Sequence, residues 1–358
     1  MSSSTAAVLY ALTVTTSPTS PGPEDATKKS HHLQEGFKNP WDSWYQHDFF
    51  GILGHMVHTG SKTRVPLLSR NIESTSNMAR PCMLLRRIPQ RLRVLFDPVF
   101  EDRCSPCSFM GPKRYTKMPC EIKDIPVIDA VVISHNHYDH LSYPTVKEIF
   151  ERHPNCHFFA PLGNKAWFSS CGINNMTELD WWDERDIILS PSQGPAPATG
   201  VETPDGASEA KNADIKARIG CLPCQRRKVY FAGDTGYRAV PELPDDVDDH
   251  APEYNFPACP AFKQIGQYRG PFDLDLIPIS AYQPRYIMSP MHADPHDSVQ
   301  IFKDTKCQRA LGMHWGTWVL TEEDVLEPPR KLREYLRKED IAEEGVFDIC
   351  DIGESREF

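Results

Sequence analysis

Long apolar runs are missing from this sequence, and so is any excess of basic residues. Near the start, the longest apolar stretch is Ala6 to Val14, "AAVLYALTV", far short of a bilayer-spanning helix and without the basic flank of a secretory leader. Lys and Arg number 39 against 49 Asp and Glu, a formal net charge of −10, so the basic stripe of a nucleic-acid binder is absent and no nucleic-acid partner is expected. A disulfide framework is lacking too. The 11 cysteines are an odd number scattered along 358 residues, which points to reduced thiols and a cytoplasmic location. No internal repeat is visible. What the composition does supply is a 40% apolar content, enough at this length to fill the core of a globular protein.

Residues 1–36 are rich in Ser, Thr, Pro and Lys without a hydrophobic period, and read as a disordered tail ahead of one domain over 37–358. From Leu92 onward short apolar runs recur: "LRVLFDP", "IDAVVISH", "CHFFAP", "KVYFAGDTG", "DLDLIPIS", "RALGMHWG" and "FDICDIGES". Their Val, Ile and Phe content and their bounding Gly, Pro, Asp and Ser suit buried strands. Helical signals lie between some of them, in "YPTVKEIFERH", "DPHDSVQIFKD" and "EPPRKLREYLRKED". Strands alternating with helices imply an α/β protein whose sheets are covered by helices. Two stretches, 60–90 and 194–220, show no clean period and read as irregular.

The segment "ISHNHYDHL" crowds His135, His137, Asp139 and His140 against the end of the run "DAVVI". In an extended chain alternate residues share a face, so His135 and His137 can address one point. Asp139 and His140 follow where the chain leaves the strand and can address a second. Imidazole with carboxylate favours zinc or a similar first-row metal, and two adjacent ions form a clamp for hydrolysis. Each ion needs about three protein ligands and an open position, so further donors must come from elsewhere in the chain.

"SHNHYDHL" resembles the H-x-H-x-D-H signature of the metallo-β-lactamase superfamily. The blocks "LFDPVFEDRCSP", "GPKRYTKMPC", "LDWW", "FAGDTGY", "GPFDLDLIPIS", "AYQPRY", "HADP" and "MHWGTWVLTEEDVLEPP" are similar, in order, to its N-acyl-phosphatidylethanolamine-hydrolysing phospholipase D branch. The resemblance spans most of Leu92 to Phe358 and implies a four-layer αβ/βα sandwich with two zinc ions at one edge. It implies metal ligation by His135, His137, Asp139, His140, Asp234 and His314, with Asp234 bridging the ions and Asp139 and Asp234 the catalytic carboxylates. It also implies substrate contacts at Tyr138 and His292. The expected reaction is hydrolysis of a phospholipid to N-acylethanolamine and phosphatidic acid, with peripheral contact on an intracellular membrane. Asp97 is a candidate carboxylate for orienting a ligand histidine.

The sequence departs from the branch in two places. Where the branch supplies a third histidine to the first metal, this chain reads "LSPSQGPAPATG" and carries Gly194. The "W-x-G-H" turn expected before "LRVLFDP" is also missing from 60–90. The alternative expectation is therefore a degenerate member with an incomplete first site, binding lipid or one metal without turnover. "CSPC" and "CLPC" read as incidental thiols rather than a structural zinc site, and the pair Trp181/Trp182 can seat an acyl chain or a membrane surface, with core packing the favoured reading.

Overall fold

In the computed structural model, which describes residues 10–18, 20–45, 83–86, 92–191, 215–220, 227–244, 247–350 and 353–357, all seven apolar runs form strands. In chain order the strands are β1 (Tyr10–Thr16), β2 (Met83–Arg86), β3 (Arg93–Phe96), β4 (Ala130–Val132), β5 (His157–Pro161) and β6 (Met176–Leu179). They continue with β7 (Glu184–Pro191), β8 (Ile215–Gly220), β9 (Val229–Phe231), β10 (Leu274–Pro278), β11 (Ala310–Met313) and β12 (Phe347–Ile349). One sheet has the order β2-β3-β4-β5-β6, a second β12-β11-β10-β9 and a third β1-β7-β8. Strands β3 to β6 run parallel, and so do β9 to β12. Parallel strands are covered on both faces, which is why these segments read as unbroken apolar runs.

The helices α1 (Tyr143–Arg152), α2 (Lys165–Ser170), α3 (Ala261–Tyr268), α4 (Arg285–Met288), α5 (Pro295–Thr305) and α6 (Glu327–Lys338) cover the two parallel sheets. Helix α1 starts where the Ser142 hydroxyl accepts the Thr145 N–H, and α5 where the Asp294 carboxylate accepts the Asp297 N–H. Each has a proline in its first turn, where no N–H is missed. Val146 and Ile149 of α1 are fully buried with Leu95, Val131 and Phe158, each worth about 1.5–3 kcal/mol over exposure. On the far side Val299 and Phe302 of α5 and Leu332 and Leu336 of α6 pack on Ile277, Ala310 and Phe347. Between the sheets Leu276, Leu311 and Met313 meet Phe96 and Phe231, whose ring centroids lie 4.7 Å apart. Helices, sheet, sheet and helices make the four αβ/βα layers expected.

The disordered tail expected over 1–36 is corrected by β1, which pairs along its whole length with β7. Leu12 and Val14 alternate with threonines and pack with Val94, Phe159 and Ile187, a period-two signal hidden in a Ser/Thr-rich context. The irregular stretches 60–90 and 194–220 contain β2 and β8 at Met83–Arg86 and Ile215–Gly220; the rest of both lies outside the described residues. Among the described residues no helix is long and apolar enough to cross a membrane.

Candidate metal centre

Four parallel strands end at one edge of the sandwich, and each delivers part of the site. Asp97 follows β3, His135 to His140 follow β4, Asp234 follows β9 and His314 follows β11 directly. Ligand sites on parallel sheets form at these carboxyl ends, where the backbone turns away and side chains can converge. The turns are tight. Asp97 and His314 have φ of 42° and 62°, unusual for residues with a Cβ and often found where a side chain is held for a purpose. Gly233 has φ of 61°, and a Cβ there would stand 2.6 Å from the Ser134 Cβ. Only glycine lets Asp234 approach the histidine loop this closely.

The donors fall into two groups that share one carboxylate. Asp139, His140, Asp234 and His314 form the first, and His135, His137 and Asp234 the second, with ligand atoms in each group within 4.8 Å of one another. His140 Nε2 lies 3.1 Å from Asp234 Oδ2 and 3.3 Å from Asp139 Oδ2. His314 Nε2 lies 3.2 Å from Asp234 Oδ1 and 3.3 Å from Asp139 Oδ2. On the other side His135 Nε2 is 3.7 Å from Asp234 Oδ2 and 2.9 Å from His137 Nδ1. Among the described residues, every ion pair to Asp139 or Asp234 is with a histidine.

Behind these donors Asp97, 1% exposed, fixes the geometry. Its carboxylate accepts from the Ser134 N–H at 2.7 Å and hydroxyl at 2.5 Å, and lies 2.6 Å from His140 Nδ1. His140 is thereby turned so that Nε2 faces the shared carboxylate. The Ser134 hydroxyl also lies 2.9 Å from His135 Nδ1.

Charge follows burial and neighbours. Burial pushes His135 down to about 3, helped by nearby His140, so its imidazole is neutral and its lone pair is free at neutral pH. His140 and His314 are raised: burial opposes their charging, but Asp97 and Asp234 outweigh it for the first, and Asp234 and Asp139 for the second. Asp139 and Asp234 resist burial and stay well below the usual carboxylate range because of those histidines.

Of the remaining sequence candidates, His292 is buried with Nε2 3.8 Å from Asp234 Oδ2, and burial pushes it down to about 4. Tyr138 is 54% exposed. Gly194 and the "CLPC" cysteines lie outside the described residues, whereas Cys104 and Cys107 are free thiols. Trp181 is exposed and Trp182 half-buried against Tyr268 and Arg269, and both line a cavity of about 560 Å³ that is also lined by His135, His137, Asp234 and His292. Trp41 and Trp44 line it as well and were missed. Lone tryptophans after a polar stretch carry no period to flag them.

Residues 92–315 match the Beta-lactamase superfamily domain. The N-acyl-phosphatidylethanolamine-hydrolyzing phospholipase D 1 of Caenorhabditis elegans is 34% identical over 272 residues, covering 74% of this chain and 70% of that protein. The mitochondrial N-acyl-phosphatidylethanolamine-hydrolyzing phospholipase D of Saccharomyces cerevisiae is 32% identical over 265 residues, covering 72% of this chain and 50% of its own length. Among solved structures, the isothiocyanate hydrolase from Delia radicum gut bacteria is 15% identical, with a TM-score of 0.47 over 79% of this chain and 98% of that one. The chain belongs to the metallo-β-lactamase superfamily, in its N-acyl-phosphatidylethanolamine-hydrolysing phospholipase D branch, and is a metal-dependent hydrolase.

Proposed function

We propose that this protein hydrolyses the phosphodiester bond of N-acyl-phosphatidylethanolamine, releasing N-acylethanolamine and phosphatidic acid, with two zinc ions bound. The observation that carries this reading is the meeting of two donor groups at Asp234. The donor set fits a metal. His140 Nε2 and Asp234 Oδ1 are buried without a hydrogen-bond partner, although they face oppositely charged neighbours, and such orphaned atoms are costly unless something else engages them. Asp139, His140, Asp234 and His314 would hold one ion; His135, His137 and Asp234 would hold the other. When bound, the pair supplies Lewis acidity that polarises the phosphoryl oxygens and makes water nucleophilic near neutral pH.

The chain's own residues do the rest. Asp97 and Ser134 lock the rings of His140 and His135 by their Nδ1 atoms, leaving both Nε2 atoms for ligation. His292 is neutral at pH 7 and lines the cavity beside the donors, so its N–H can hydrogen-bond a phosphoryl oxygen or the departing alcohol oxygen. The exposed Tyr138, beside His137 and Asp139 in the chain, is our candidate for contact with the lipid headgroup. Two histidines and a carboxylate meet the minimum of three protein ligands with one position open, so the second group can work without a histidine at Gly194, though with weaker hold. We place the protein in the cytoplasm, in peripheral contact with a membrane.

The test is direct. Zinc-loaded full chain given N-palmitoyl-phosphatidylethanolamine in mixed micelles should release N-palmitoylethanolamine and phosphatidic acid in equal amounts. Gly194 motivates a second reading, a degenerate member that binds lipid or one metal without turnover. Metal-loaded protein that binds the micelles and releases nothing would establish it instead.

A further inference from the structure

We infer that residues Lys29 to Trp44 form a strap that completes an acyl-chain channel, and that Asp180 is the clamp that positions it. The inference rests on the lipid phosphodiesterase reading for the identity of the ligand, and on its own observations for the channel. The cavity of about 560 Å³ is lined both by His135, His137, Asp234 and His292 and by Trp41, Trp44, Trp181, Trp182, Phe262 and Met291. Its volume lies within the usual range for a small-molecule site. A polar catalytic end joined to an aromatic and aliphatic body suits an amphiphile whose phosphodiester lies at the metals and whose chain runs outward. Continuity with the metal centre selects an acyl chain over a protein partner as the occupant.

Two of the four tryptophans that line the cavity come from the strap, which precedes the region that matches the superfamily domain. Two strap residues stack on Trp181: the Trp41 ring at 5.1 Å and 3°, and the His31 ring at 4.1 Å and 19°. Beneath that stack Asp180 gathers the strap's polar groups. Lys29 Nζ donates to it at 2.6 Å, His31 Nε2 lies at 2.6 Å and His32 Nε2 at 2.8 Å. The Asp180 carboxylate is 7% exposed. The Lys29 ammonium fills the place a cation would take, which marks this His/His/Asp cluster as a clamp rather than a third metal site. The Tyr45 hydroxyl fastens the far end, against the Val240 and Tyr286 carbonyls. Asp180 touches none of the metal-binding side chains in this arrangement, so it is a positioning residue that acts through Trp41 and Trp181.

The experiment compares wild type, Trp41→Ala, Trp41→Phe, Asp180→Ala and Asp180→Asn, all full-length and zinc-loaded. Substrates are N-palmitoyl- and N-butyryl-phosphatidylethanolamine and the chainless diester bis(4-nitrophenyl) phosphate. Trp41→Ala should raise KM for the palmitoyl lipid about tenfold and leave the chainless diester within about twofold. Asp180→Ala should do the same, and both conservative variants should recover most of the loss. A second readout needs no turnover: a dibromostearoyl ethanolamide should quench indole emission saturably in wild type, and with about tenfold weaker affinity in Trp41→Ala and Asp180→Ala. Equal effects on all three substrates, or unchanged quencher affinity in folded variants, would overturn the channel. Wild-type protein that binds the quencher in this chain-dependent way yet cleaves no lipid would overturn the phosphodiesterase reading and leave the channel standing.

Discussion

Two clusters in this protein are built from the same residue types but are balanced differently. The first joins Asp97, Asp139 and Asp234 with His135, His137, His140, His292 and His314; the second joins Asp249, Asp294 and Asp297 with His250 and His296. The difference is arginine. In the second cluster Arg238 Nε reaches Asp297 Oδ1 at 2.8 Å, and Arg285 Nη2 reaches Asp297 Oδ2 at 2.8 Å and Asp249 Oδ2 at 3.0 Å. Two guanidiniums supply the cations that balance these carboxylates. Among the described residues no guanidinium or ammonium pairs with the carboxylates of the first cluster, which is left facing inward with imidazoles alone. Counting histidines and aspartates therefore does not distinguish the two clusters; whether a side-chain cation already balances the buried carboxylates does.

The sharpest way to break this comparison is to damage each cluster in turn. Asp234→Asn alters the carboxylate common to both donor groups and should cut hydrolysis by about 10³-fold or more, with loss of bound metal and retention of the fold, read by turnover, metal analysis and circular dichroism. Arg285→Met leaves buried carboxylates unpaired and should cost about 3–5 kcal/mol in urea unfolding, while metal content per folded chain holds. If both variants lost metal and stability together, the two clusters would not be different in kind.

A milder change sharpens the reading. Asp97→Asn keeps the shape behind His140 but weakens its hold on Nδ1, and should lower metal affinity about 10–100-fold, measured by competition with a chromogenic chelator. An unchanged affinity would show that the Asp97 contact to His140 at 2.6 Å has no bearing on ligation.

The smallest effect concerns a carboxylate outside both clusters. Burial raises Asp275 to about 7, against the pull of its hydrogen bonds to Thr305 and Cys307. The folded state thus holds a proton that the unfolded state has released, so this contribution is full below about pH 4 and is lost as pH rises through about 7. Asp275→Asn has no such proton to lose. Its melting temperature should exceed wild type at pH 8 by about 2–4 °C and converge with it near pH 4. Parallel pH profiles would contradict the assignment.

How much of this was legible in the sequence depends on distance along the chain. The strands after Leu92 and the loop His135 to His140 are local patterns, dictated by apolar runs and by period-two spacing, and the structure places them as read. Asp234 and His314 came only with the family resemblance, because no local rule says that the ends of β9 and β11 meet the end of β4. The first strand was lost in a Ser/Thr-rich context where Leu12 and Val14 offer only two apolar positions on the buried face. Asp180 was illegible for a different reason: its partners Lys29, His31 and His32 lie about 150 residues away, and only the folded chain shows that they share one carboxylate.

The most direct measurement is metal stoichiometry and turnover in a single preparation of wild-type protein, titrated with zinc after chelation. The account predicts two ions per chain, the tighter one at the four-donor group, with hydrolysis of N-palmitoyl-phosphatidylethanolamine appearing as the second ion binds. Chain that stays empty and inert in excess zinc, with its fold intact, would contradict it.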